Sequence, residues 1–226
     1  MRVVLLGPPG SGKGTQGALL AQRLGLPKIS TGDVLRAQAE AGTPLGIQAR
    51  PHLDGGTLVP DEVTIGVVAD RLAQPDTAGG FILDGFPRTL RQARDLGELL
   101  DGQRRPIDRV IEFRLAREDV IDRLAGRRTC GSCDRIWHLT LNPPPDGRCG
   151  DCGGALTQRA DDRPDTIARR LDVYDRQTLP LADHYRSAGV LVVVDADGPV
   201  ETVLAGSLAA LCAPGDGALD AAERRS

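Results

Sequence analysis

Gly7-Pro8-Pro9-Gly10-Ser11-Gly12-Lys13-Gly14-Thr15 stands between a short apolar run, Arg2–Leu6, that reads as a strand and a stretch, Thr15–Leu24, that reads as a helix. That context is the one a phosphate-binding loop needs. Glycines let backbone N–H groups converge on an anion, Lys13 reaches phosphate oxygens, and the positive end of the following helix dipole adds to the attraction. Gly10, Ser11, Gly12, Lys13, Gly14 and Thr15 are therefore the expected contacts of a bound polyphosphate. The loop departs from the generic GxxxxGK[ST] pattern at Gly14, which takes the place of the magnesium-ligating hydroxyl, with Thr15 one residue later.

Outward from the loop, Lys28–Ser30, Gly80–Leu83, Arg109–Leu115 and Val190–Val194 read as further strands bounded by Gly, Pro or Asp. Helical periods lie between them. In Asp61–Gln74 the apolar set Ile65, Val68, Ala69 and Leu72 falls at i, i+3, i+4, i+7, and Leu90, Ala93 and Leu100 mark one face of the next helix. Alternating strands and helices imply an α/β fold, a five-stranded parallel sheet with helices on both faces. Two stretches break the rhythm. Residues 30–59 carry two helical segments with no strand between them, and 126–162 are rich in Cys, Gly, Pro and Asp; both read as subdomains inserted into a core of residues 1–212. The last stretch, 213–226, has no apolar period and is expected to be a disordered tail.

Composition narrows the function. With 226 residues, 40% hydrophobic, 26% charged and a net charge of −3, the chain has the make-up of a soluble globular protein with one main core. A weakly acidic balance gives no long-range pull toward nucleic acid or an anionic membrane, so an anionic ligand must be held by locally placed arginines. No apolar run is long enough for a membrane span or a signal-peptide core, and a cytoplasmic location is expected.

Reduced cysteines in that compartment point to metal rather than disulfides. Cys130-x2-Cys133-x15-Cys149-x2-Cys152 has the two-knuckle spacing of a zinc ribbon. Four thiolates would close the tetrahedron, leaving no open position for catalysis, so the metal is expected to be structural. Spacing favours Zn²⁺, with Fe²⁺ and Co²⁺ as the alternatives.

On the opposite side of the expected cleft, Thr31-Gly32-Asp33 leads into a helix bearing Arg36, and Asp84-Gly85-Phe86-Pro87-Arg88 ends the third strand. Ligands of open α/β sheets sit there. Two guanidinium groups facing one cleft suit a doubly charged phosphate through paired hydrogen bonds. Asp84, after the apolar run Phe81-Ile82-Leu83, has the position of a carboxylate that helps hold Mg²⁺.

The loop form GxPGSGKGTQ, together with Ser30-Thr31-Gly32-Asp33, Asp84-Gly85-Phe86-Pro87-Arg88 and Arg159 followed by Asp161-Asp162, resembles the adenylate kinase family. The resemblance runs from Met1 to about Leu211 and includes the order of the motifs. Within the family, the sequence matches members with a cysteine-ligated lid. The resemblance implies reversible transfer of the γ-phosphoryl of MgATP to AMP giving two ADP, by a monomer whose partners are these nucleotides. It implies a catalytic set of Lys13, Asp84, Arg88, Arg127, Arg159 and Arg170. ATP would further meet Arg123, Ile136, Trp137 and Gly198, and AMP would meet Thr31, Arg36, Leu58, Val59, Gly85, Arg88, Gln92, Arg159 and Arg170, with Gln92 reading the base. Asp161 and Asp162 would orient the lid arginines or hinge the helix beginning at Pro164. UMP/CMP and guanylate kinases use the same chemistry on another acceptor and remain the nearest alternative. A zinc ribbon for nucleic acid attached to an ATPase core is disfavoured by the net charge of −3.

Overall fold

The computed structural model describes residues 1–212, and the expected tail at 213–226 lies outside the described residues. In chain order the strands are β1 (Arg2–Leu6), β2 (Lys28–Ser30), β3 (Phe81–Asp84), β4 (Arg109–Arg114), β5 (Arg127–Cys130), β6 (Ile136–His138), β7 (Leu156–Thr157) and β8 (Leu191–Asp195). The helices are α1 (Lys13–Leu24), α2 (Thr31–Glu40), α3 (Pro44–Gly55), α4 (Asp61–Leu72), α5 (Leu90–Asp101), α6 (Arg117–Ala125), α7 (Pro164–Val173), α8 (Leu181–Ser187) and α9 (Val200–Cys212).

Five strands form one parallel sheet in the order β2-β3-β1-β4-β8. β1 lies between β3 and β4, so the chain leaves it toward one edge and later returns to its other side. The crevice at the carboxyl end of β1 is the switch point at which such sheets bind ligands, and the glycine loop emerges there. The strands are apolar on both faces because helices cover both. Val4, Leu6, Phe81, Leu83 and Val110 point to the side of α4, α5 and α8, meeting Val68, Leu72, Ala93, Leu96, Leu100 and Leu181. Val3, Leu5, Ile82, Ile111 and Phe113 point the other way, to Leu20 of α1 and Val203, Leu204 and Leu211 of α9.

Several local details differ from the sequence reading. α1 begins at Lys13, not Thr15, because Gly12 takes a left-handed conformation (φ 86°) and starts the helix directly behind the loop. The strands expected at Gly80, Arg109 and Val190 run Phe81–Asp84, Arg109–Arg114 and Leu191–Asp195. Leu90 is 38% exposed; the buried face of α5 is Gln92, Ala93, Leu96 and Leu100, since Thr89 caps the helix and turns Leu90 outward. Among the described residues, no helix is long and apolar enough to cross a membrane.

Between β2 and α4 the chain folds into α2 and α3, which pack on each other around Leu35, Ala49 and Val59. Their crossing is close. A Cβ on Gly46 would lie 1.9 Å from the Gln38 carbonyl oxygen, so only glycine fits there. Between α6 and α7 the chain forms a three-stranded antiparallel sheet, β6-β5-β7, whose strands of two to four residues carried no readable apolar alternation. Its inner cluster is Cys130, Trp137 and Cys149, backed by Leu156.

Candidate functional site

One cleft at the carboxyl ends of the strands brings together residues far apart in sequence: Gly7, Pro9 and Lys13 from the loop, Gly85 and Arg88 after β3, Leu58 after α3, and Arg170 on α7. Lys13 donates from Nζ to the carbonyls of Gly7 and Pro8, both at 2.7 Å. Burial pushes its ammonium down to about 7, against the opposing pull of Asp84, and Arg88, Arg170 and Arg127 push in the same direction as burial.

The arginines converge. Burial and the charge of Arg170 bring the Arg88 guanidinium down to about 10, and burial with Arg36 and Arg127 does the same to Arg159. Mutual repulsion of this kind arises where cations are gathered for an anion. Three carboxylates hold the group in place. Arg127 is gripped at both ends by Asp162 (Nε–Oδ2 2.8 Å, Nη2–Oδ1 2.6 Å), a carboxylate with no exposed surface. Arg170 donates to Asp161 Oδ2 at 2.9 Å and Asp162 Oδ1 at 3.0 Å. Burial alone would raise the Asp161 carboxyl, but Arg170, Arg127, Arg36 and Arg159 hold it below its ordinary value. For Asp33, burial likewise works upward, but Arg36, the Ser30 hydroxyl and Arg159 hold it down at about 2. Arg159 reaches Asp33 at 3.7 Å across the cleft, joining the end of the cysteine-bearing segment to α2.

Arg88 is fixed through its backbone as well as its side chain. Its N–H donates to Gln92 Oε1 at 2.7 Å, its Nε donates to the Gly85 carbonyl at 2.8 Å, and its carbonyl accepts from Thr178 Oγ1 at 2.9 Å. Thr178 belongs to a π-helical turn, Tyr174–Thr178, that continues α7. Thr31 Oγ1 donates to the same Gly85 carbonyl at 3.0 Å.

Other expected contacts stand elsewhere or face differently. Val59 lies in the apolar cluster under α2 and α3, 7% exposed. Arg123 donates to the Ala196 carbonyl at 3.0 Å and lies 3.6 Å from Asp197, tying α6 to the turn that carries Gly198. Ile136 faces the loop: its Cδ1 is 3.7 Å from where a Cβ on Gly14 would sit. The neighbouring Trp137 points to the opposite side of β6 and packs with Cys130 and Cys149, so only its backbone is left for a nucleotide. The Gln92 amide, 1% exposed, is engaged by Arg88 N–H and by Asp61.

Three functional neighbours were missed in the sequence. Lys28 pairs with Asp84 at 3.3 Å and donates to the Gly14 carbonyl at 3.2 Å; a lysine at the start of a short strand beside the loop was the only available signal. Asp33 carries no local mark of its role beyond its spacing, a carboxylate three residues before Arg36 on a helix facing it. Thr178 and its turn carried no signal.

The four cysteines of β5 and the following loops have their sulfur atoms within 4.8 Å of one another. All are free, with Sγ–Sγ separations of 3.5 Å (Cys130–Cys152), 3.6 Å (Cys133–Cys149) and 3.4 Å (Cys133–Cys152). Metal–sulfur bonds of about 2.3 Å set the sulfurs of a zinc tetrahedron about 3.8 Å apart, and this donor set fits that ion.

Residues 5–190 match the family profile described as adenylate kinase. The chain is 53% identical over 212 residues to the adenylate kinase of Acidothermus cellulolyticus, covering 93% of this chain and 98% of that protein. It is 52% identical to the adenylate kinase of Salinispora tropica over the same shares, and 50% identical to that of Streptomyces griseus over 96% of this chain and 100% of the relative. The chain belongs to the adenylate kinase family. It is a nucleoside monophosphate kinase, a phosphotransferase, and its parallel sheet with a glycine loop after β1 is the fold of that family. The cleft that joins Lys13, Arg88 and Arg170 is the candidate active site of an adenylate kinase.

Proposed function

We propose that this adenylate kinase transfers the γ-phosphoryl of MgATP directly to an α-phosphate oxygen of AMP, giving two ADP reversibly, and that the convergence of Lys13, Arg88, Arg127, Arg159 and Arg170 on one cleft is what performs it. The acceptor oxygen forms a bond to the γ-phosphorus as the bond from that phosphorus to the β–γ bridging oxygen breaks, and ADP leaves with the electron pair. The acceptor is already ionised near neutral pH, since the second ionisation of a phosphate monoester falls near pH 6, so no general base is required.

Lys13 and the backbone of Gly10–Thr15 take the ATP phosphates. Arg36 and Arg88 hold the AMP phosphate, while Arg127, Arg159 and Arg170 stabilise the phosphoryl in flight. Thr31, Leu58, Gly85 and Gln92 form the AMP pocket, with Val59 packed in the apolar cluster behind it; Arg123, Ile136, Gly198 and the backbone of Trp137 serve the ATP side. Asp84, 9% exposed and beside Gly14, offers the carboxylate chemistry that suits a hydrated magnesium ion. Magnesium supplies charge neutralisation on the phosphates when bound.

The segment 126–162 acts as a lid that excludes water, the competing acceptor, and 30–59 as the monophosphate-binding unit. Cys130, Cys133, Cys149 and Cys152 hold a structural zinc in that lid. The protein works as a cytoplasmic monomer. Steady-state ADP formation with AMP, CMP, UMP and GMP side by side tests the reading: AMP is expected to dominate, and a preference for any other acceptor overturns it. Arg88→Ala is expected to lower turnover by about 10³-fold in a folded protein, and near-normal turnover would remove Arg88 from the mechanism.

A further inference from the structure

We infer that Asp61 is a specificity-determining positioning residue, whose carboxylate fixes which end of the Gln92 amide faces the acceptor base and so favours adenine over a 6-oxopurine. The inference rests on the proposal that Gln92 faces that base.

Asp61 begins α4 and reaches across to the start of α5, where Oδ1 accepts from Gln92 Nε2 at 2.7 Å and Oδ2 accepts from Thr89 Oγ1 at 3.1 Å. At the other end of the same amide, Gln92 Oε1 accepts from Arg88 N–H at 2.7 Å. A backbone N–H can only donate and a carboxylate can only accept. Turning the amide over would set N–H against N–H at one end and oxygen against oxygen at the other, within a side chain 1% exposed. One orientation is therefore enforced.

Each end of the amide retains one unused function, a second hydrogen on Nε2 and a second lone pair on Oε1. Adenine presents a donor at N6 beside an acceptor at N1 or N7, the complement of that pair. Hypoxanthine and guanine present an acceptor at O6 beside a donor at N1, the reverse order, and uracil is reversed in the same way. Cytosine has the adenine order, so this lock does not refuse it and ring size must. A site built around fixed hydrogen-bonding groups rejects a mismatched edge strongly because its own buried groups are left unpaired.

The test compares kcat/KM for AMP and for IMP, which differ only at this edge, in Asp61→Ala, Asp61→Asn and Gln92→Leu. Asp61→Ala should reduce the AMP:IMP ratio roughly tenfold with KM for ATP unchanged, the loss expected for one hydrogen bond to a charged group. Asp61→Asn, which can still present an oxygen to Nε2, should restore most of the ratio, as a purely structural link between α4 and α5 would not require. If Asp61→Ala fails to fold, Asp61→Ser keeps a polar helix start but cannot reach both partners, and the same tenfold fall is expected. An unchanged ratio in folded Asp61→Ala or Asp61→Ser, where Gln92→Leu collapses it, overturns the role of Asp61 alone. An unchanged ratio in Gln92→Leu overturns the placement of the base against Gln92, and the role of Asp61 with it.

Discussion

The pair α2–α3 and the sheet β6-β5-β7 are both short departures from the same parallel core, and they are held together by different physics. α2 and α3 bury Leu35, Ala49 and Val59, backed by Leu45, Leu53, Val63 and Val67, and close on each other at Gly46. The three-stranded sheet has only Trp137 and Leu156 beside its cysteines, too little apolar area to offset the entropy of ordering the loops. Four sulfur atoms on one ion can supply what the apolar residues do not. Their attachments differ as well. The α2–α3 unit meets α7 through a bond from Arg169 to the Gly55 carbonyl at 3.2 Å and through Gly56, where an added Cβ would lie 2.8 Å from Thr166 Cγ2, whereas the cysteine-bearing segment ends in a buried cluster of Arg127, Asp162 and Arg170.

The largest expected effect breaks the metal half of the comparison. Structural zinc contributes about 10–16 kcal/mol to the folding of small isolated domains. Cys130→Ser with Cys149→Ser, or stripping by a chelator, should expose 126–162 to proteolysis and amide exchange while the parallel core keeps its melting transition. Turnover should fall on the order of 100-fold from misplaced lid arginines. Equal exchange in stripped and zinc-loaded protein would refute it. Next in size, Asp162→Ala leaves Arg127 without its carboxylate and deprives Arg170 of one of two, a loss of about 3–5 kcal/mol for a buried pair, visible as a thermal midpoint lower by roughly 10 °C.

Gly46→Ala attacks the apolar half. A methyl group 1.9 Å from a carbonyl oxygen must push α2 and α3 apart, at a cost of about 1–3 kcal/mol. KM for AMP should rise with KM for ATP unchanged, and a matching rise in both would mean that the two insertions are not independent. The smallest effect concerns Lys13. Its ammonium, held at about 7 by burial against an unfolded value near 10.5, binds fewer protons in the folded than in the unfolded chain between those values, so its contribution to stability grows as pH rises through that window. A bound phosphate reverses the shift. ATP binding at pH 8 should then take up close to one proton, measured by calorimetry in buffers of different ionisation enthalpy, and Lys13→Met should abolish the uptake.

The core was legible because its signals are local. Val3–Leu6 followed by glycines announces a buried strand and its loop, and the cysteine spacing announces a metal tetrahedron whatever lies around it. The strands within 126–162 were not legible, because pieces as short as Leu156–Thr157 have no period to read. Trp137 shows the same limit: its place in the chain was readable, but which side of β6 it faces depends on the cysteine cluster it packs against. Lys28, Asp61 and Thr178 act across sequence separations of 14 to 90 residues, as in the bond from Thr178 to Arg88, and nothing in their local sequence marks that reach.

The strand order also dictates a timetable during synthesis. β1 is made first but is flanked by β3 and β4, residues 81–84 and 109–114, so it can find both neighbours only after the first half of the chain has left the ribosome. At 5–20 residues per second the wait is roughly 5–20 s. Throughout it the glycine loop lacks the β3 and β4 neighbours that hold its strand in the finished sheet. Until its middle has arrived, the newborn chain carries an apolar N-terminal strand whose two partners do not yet exist.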